Sequence, residues 1–140
     1  MRPLAIGALS ELAGVKIPTI RYYEGIGLLP APERTDSNRR TYDDATVRRL
    51  KFIRHARELG FEVEAIRTLL GLADQPGRPC AEADVIARRH LADIDDRLAR
   101  LTTLRTEIQA MVEQCARGSI AHCRVIEVLA DHEECLHQTH

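Results

Sequence analysis

Leu4, Ile6, Leu9, Leu12 and Ala13 recur at near-helical spacing, and Gly14 ends the run. A second short helix is expected over about residues 18–27, with Pro18 in its first turn, where the missing N–H has no helical partner. Two short helices about a glycine turn make a helix-turn-helix pattern. The period is then lost. LPAPERTDSNRRTYD, residues 29–43, carries two prolines and an Asp-Ser-Asn cluster. Arg34-Thr35 and Arg40-Thr41-Tyr42 read as two short strands about a turn at Asp36–Asn38, because asparagine tolerates the left-handed conformation. Asp43 is expected to cap a helix over about 44–59 with Val47, Leu50, Ile53 and Leu59 inward and Gly60 as its stop. A fourth helix, about 63–72, buries Val63, Ile66, Leu69 and Leu70, and ADQPGRP at 73–79 breaks the chain again.

From about Glu82 to Ala116 there is no proline or glycine. Leu91, Ile94, Leu98, Leu101, Ile108 and Val112 keep a 3-4 spacing there, with Arg105 the polar exception. Extending the register places Ala87 and Cys80 before this stripe and Cys115 after it. A narrow apolar stripe on a long polar helix is not satisfied alone, so a coiled-coil homodimer is expected.

Charge divides the chain in two. Residues 1–60 hold 11 Lys+Arg against 7 Asp+Glu, and residues 61–140 hold 9 against 14. A basic half joined to an acidic half implies a polyanionic partner for the first half only. Apolar residues make up 44% of the chain and aromatics 4%, a composition that leaves the core to aliphatic side chains and favours helices. No run approaches the roughly 20 apolar residues of a membrane span, and Ser10 and Glu11 interrupt any signal-like segment, so a cytoplasmic protein without a membrane partner is expected. There thiols stay reduced, and the four cysteines point to metal or redox chemistry rather than a disulfide framework. An enzyme is disfavoured, since no thiol–histidine pair at workable spacing, glycine-rich phosphate loop or carboxylate pair is present.

The segments IGALSELAGV (6–15), TIRYYEGIGLL (19–29), RTYD (40–43) and RHARELGF (54–61), with the long helix after them, resemble the MerR family of bacterial transcription regulators. The resemblance spans nearly the whole chain. It implies an all-α fold with a small β wing: a winged helix-turn-helix DNA-binding domain (1–75), then a long antiparallel coiled-coil dimerisation helix (80–116). An effector loop and short helix follow (115–131), and then a tail (132–140). It also implies double-stranded promoter DNA as partner. Inducer would activate transcription by distorting an overlong promoter spacer for RNA polymerase, a readout by deformation. Where many members have Asn-Gly-Tyr-Arg in the wing, this chain has Ser37-Asn38-Arg39-Arg40.

For DNA, Arg21 suits a phosphate or a bidentate guanine contact, with Lys16 and Thr19 near the same helix start. Tyr22 and Tyr23 are 100° apart on a helix, so one is expected in the core and the other at DNA; the resemblance favours Tyr23 for DNA. Arg34, Asn38, Arg39, Arg40 and Tyr42 would form the wing's phosphate grip. Arg48, Arg49, Arg54 and Arg57 read either as part of that surface or as a solvated helix face.

Cys115 and Cys123 flank seven residues, ARGSIAH, in which Gly118 allows a tight bend, and VIEVLA (125–130) reads as a short helix beyond. Cys80 lies 35 residues before Cys115, about 50 Å as helix, so one chain's two ends do not share an ion. In the antiparallel dimer that the resemblance implies, Cys80 of one chain meets Cys115 and Cys123 of the other. A cysteine at position 80 and a seven-residue loop resemble the cadmium, lead and zinc sensors, and three thiolates suit Cd(II) or Pb(II), with His122 as a fourth ligand for Zn(II). An Hg(II) or redox sensor of the same fold is the alternative. His132, Cys135, His137 and His140 read equally as a second metal set or as a flexible polar tail.

Overall fold

Gly14 ends the first helix in the left-handed conformation, with φ of 69°, and donates its N–H to Ser10 O. The left-handed backbone favours glycine there, and any side chain would also displace the Arg54 guanidinium that lies over it. The computed structural model describes residues 3–37, 39–115 and 118–131. In chain order it has α1 (Ile6–Ala13), α2 (Ile17–Gly25), β1 (Glu33–Arg34), β2 (Arg40–Thr41), α3 (Asp44–Glu58), α4 (Val63–Ala73), α5 (Ala81–Glu113) and α6 (Arg124–Ala130). A single 3-10 turn, Ile120–His122, precedes α6.

The chain divides into two units, Met1–Asp84 and Val85–His140. In the first, α1 to α4 close over an aliphatic core in which Leu9, Ile20, Leu28, Leu50, Ile53 and Ile66 are fully buried. The strands pair antiparallel, Glu33 opposite Thr41 and Arg34 opposite Arg40. Leu4 does not begin α1, as its spacing suggested. Its N–H and C=O both go to Tyr42, at 2.8 and 2.9 Å, and extend the wing by one bridge. Asp43 caps α3 as expected, accepting from the Thr46 N–H at 3.0 Å; that bond holds its carboxyl below the ordinary value. Leu59 does not turn inward. α3 stops at Glu58, and Leu59 lies past its end, 57% exposed.

α5 runs 33 residues as one helix, from Ala81 to Glu113. Its stripe is open to solvent in the single chain, from 36% at Ile94 to 65% at Val112. Arg105 is exposed and donates to Gln109 Oε1 of its own helix at 3.1 Å. Glu107 and Met111 on α5 and Val128 on α6 are buried. Gly118 lies at a bend. No helix among the described residues is long and apolar enough to cross a membrane.

Candidate functional site

α2 carries the candidate DNA-contact side chains. No side chain caps its first turn, Lys16 and Arg21 are exposed, and Thr19 is half-buried. The two tyrosines divide as helix geometry demands, but in the opposite sense to the expectation. Tyr23 is 8% exposed and packs in the core, while Tyr22 is 56% exposed, their rings tilted with centroids 5.9 Å apart. Tyr22 is therefore the outward phenol.

The wing departs further. Tyr42 was expected among its phosphate ligands, yet it is buried, and its hydroxyl donates to Glu24 Oε1 on α2 at 2.7 Å. The other oxygen of Glu24 faces Arg40 Nη1 at 3.6 Å. One nearly buried carboxylate thus ties the wing to α2 through a neutral phenol and a cation. Glu24 was not singled out from sequence, although an acid inside an otherwise basic stretch was a visible signal. Burial first, then the bond to Glu24, pushes the Tyr42 phenol up to about 12.

A folded pKa above the ordinary 10.0 means the stabilisation is complete below pH 10 and is lost as pH rises through about 12. About 2–3 kcal/mol is at stake over that window. Tyr42→Phe is expected to cost about 1–2 kcal/mol at neutral pH and to abolish the alkaline loss. Urea unfolding at several pH values compares the two proteins. A variant as alkali-sensitive as wild type would place the titrating group elsewhere.

Arg34 and Arg39 are exposed on the wing, and Arg34 stands directly across from Arg40. The Glu24 carboxylate already faces Arg40, so that charge is matched within the chain. The arginines of α3 divide. Arg48 is exposed, but Arg49, Arg54 and Arg57 donate to the carbonyls of Leu28, Ala13 and Phe61 at 3.0, 3.4 and 2.9 Å. Arg49 and Arg54 brace the fold through part-buried bonds to distant carbonyls, whereas the Arg57 bond is local and exposed. Asn38 lies outside the described residues.

The thiols occupy the two ends of α5. Cys80 precedes its first residue, is exposed, and accepts the Asp84 N–H on its carbonyl at 2.9 Å. Cys115 follows the last turn, and Cys123 is the residue before α6; both are half-buried. All three are free of disulfides. His122 is exposed in the 3-10 turn. Among the described residues no three potential ligands gather within the single chain. His132, Cys135, His137 and His140 lie outside the described residues.

Residues 4–72 match the family described as MerR HTH family regulatory protein, and residues 47–111 match MerR, DNA binding. The chain belongs to the MerR family. Members are transcription regulators and not enzymes, so the basic winged unit of this MerR-family protein is a DNA-binding module. It is 36% identical over 126 residues to heavy metal-dependent transcription regulator 2 of Rhizobium meliloti (strain 1021), covering 90% of this chain and 86% of the relative. It is also 36% identical over 127 residues to the HTH-type transcriptional regulator ZntR of Escherichia coli (strain K12), covering 89% and 90%. Its structure is similar to that of the transcription regulator PbrR691 from Ralstonia metallidurans CH34 in complex with lead(II). The TM-score is 0.81 at 32% identity, covering 90% of this chain and 98% of that one.

Proposed function

We propose that this chain is a cytoplasmic, metal-responsive regulator that binds promoter DNA as a homodimer and activates transcription when a divalent ion, Cd(II), Pb(II) or Zn(II), engages its thiols. The placement of three free thiols at the two ends of a helix with an open apolar stripe carries this reading. Filling the stripe with an antiparallel second copy brings Cys80 of one chain to Cys115 and Cys123 of the other. That donor set supplies the charge and softness a borderline divalent ion needs, with His122 near enough in sequence to Cys123 to add a nitrogen. The lead complex of PbrR691 supports the same choice of ion.

On the DNA side, Arg21, Tyr22, Lys16 and Thr19 serve the major groove and adjacent phosphates, and Arg34, Arg39 and Arg40 hold the backbone. The energy of those contacts is available to offset a distortion of the spacer that suits RNA polymerase.

Titrating the reduced protein with Cd(II) is expected to raise a near-ultraviolet thiolate charge-transfer band that saturates at one ion per chain. Cys80→Ser should lower both the band and the affinity. If no band forms, or if replacing Cys80, Cys115 and Cys123 leaves the titration unchanged, the metal-sensing function is wrong.

A further inference from the structure

The last carbonyls of a helix have no intrahelical donor and carry the negative end of its dipole. At the end of α2 the carbonyls of Tyr22, Tyr23 and Glu24 accept from the backbone that follows, and two arginines from different helices take the carbonyl of the capping residue Ile26 and that of Leu28 just beyond it. Arg67 of α4 donates Nη2 to Ile26 O at 2.7 Å, and Arg49 of α3 donates Nε to Leu28 O at 3.0 Å. Gly27 stands between them at φ of 80°, a conformation that favours glycine, with Arg67 Nη1 lying 3.4 Å from where a Cβ would be. Arg49 has a second hold. Its Nη1 reaches both carboxylate oxygens of Asp74 at 3.3 Å. Asp74 is the C-cap of α4, and Cys80 follows it by six residues.

We propose that Arg49 and Arg67 clamp the end of α2 to α4, and that the Arg49–Asp74 pair is the link through which the segment leading to Cys80 acts on the DNA-reading helix. This rests on the metal-sensing function proposed above and adds its route of regulation. The two ends of the link differ in character. The Nε–Leu28 bond is partly buried, whereas the Asp74 carboxylate is 61% exposed. Exposed ion pairs add little to fold stability, so this one is made and broken at small cost. Two discrete arrangements of one contact, each favoured by a different state of the segment beyond it, are what coupling between sites requires. Arg49 and Arg67 are positioning residues here. Neither needs to touch DNA or metal.

Asp74→Asn removes the charge and leaves the Arg49–Leu28 bond, while Asp74→Glu keeps the charge. Both are to be compared with wild type as full-length dimers on an operator carrying 2-aminopurine at its centre, with Cd(II) as the probe. For Asp74→Asn, metal-free operator affinity and Cd(II) affinity should stay within about threefold of wild type, as loss of an exposed pair implies. The Cd(II)-induced fluorescence change should fall at least about fivefold, the lower edge of ordinary allosteric coupling, and recover in Asp74→Glu. A full Cd(II) response in Asp74→Asn overturns the link. So does a response lost in parallel with metal-free DNA affinity, which would make the pair a simple brace. A wild-type dimer that gives no Cd(II) response retires the metal-sensing function itself, and the link with it.

Discussion

Leu98→Asp is expected to leave a folded chain that no longer dimerises and no longer holds a full operator. Leu98 is 56% exposed in the single chain and lies midway along the stripe of α5. Burial of a leucine side chain contributes about 1.5–3 kcal/mol, and a dimer loses two of them. The leucines alone therefore weaken dimerisation roughly 10²- to 10⁴-fold, and two desolvated carboxylates add to that. The winged unit does not use Leu98 in its core, so helicity and half-site contacts should survive. Sedimentation, circular dichroism and operator titration separate these outcomes. A variant that remains dimeric, or a monomer with wild-type affinity for the full operator, would remove the stripe as the dimer interface.

The second large effect concerns the thiols. A mixed dimer, built from one chain carrying Cys80→Ser and another carrying both Cys115→Ser and Cys123→Ser, is expected to bind one divalent ion through three sulfurs. At one end Cys80 of the double variant faces the intact loop pair of its partner; at the other end no native thiol of the set remains. If each site belonged to a single chain, no three-sulfur site would survive in this dimer. Differently tagged chains allow it to be purified away from the parents. The charge-transfer intensity per bound Cd(II) then reports the number of sulfurs. A mixed dimer without a three-sulfur site would end the two-chain proposal.

The helices were legible because their signals are local. Gly14, Pro18, Asp43 and Gly60 mark ends, and the aliphatic period marks faces. Errors arose where the resemblance overrode a local signal, or where a residue's fate is decided by something distant in sequence. Tyr23 shares a helical face with Ile20 three residues before it, so the local period did point it inward, and the resemblance had argued the other way. Tyr42 reads as a polar wing residue until Leu4 and Glu24, at opposite ends of the unit's first segment, are found to claim its backbone and hydroxyl. Arg49 and Arg54 look like a charged surface because their carbonyl partners lie 21 and 41 residues away. The thiols were the most legible part of the candidate site, since spacing alone placed them at the two ends of one helix. Which ends meet is a property of two chains.

The open stripe of α5 also bears on how the protein counts itself. When the groups that must be covered are supplied by another copy, the active species grows with the square of the number of chains at low abundance. Halving synthesis then leaves about a quarter of the dimers, so promoter occupancy would follow gene dosage more steeply than for a repressor that works alone. A cell that keeps this regulator scarce would hold a promoter quiet without any dedicated antagonist, and a small rise in expression would make the same promoter ready to respond.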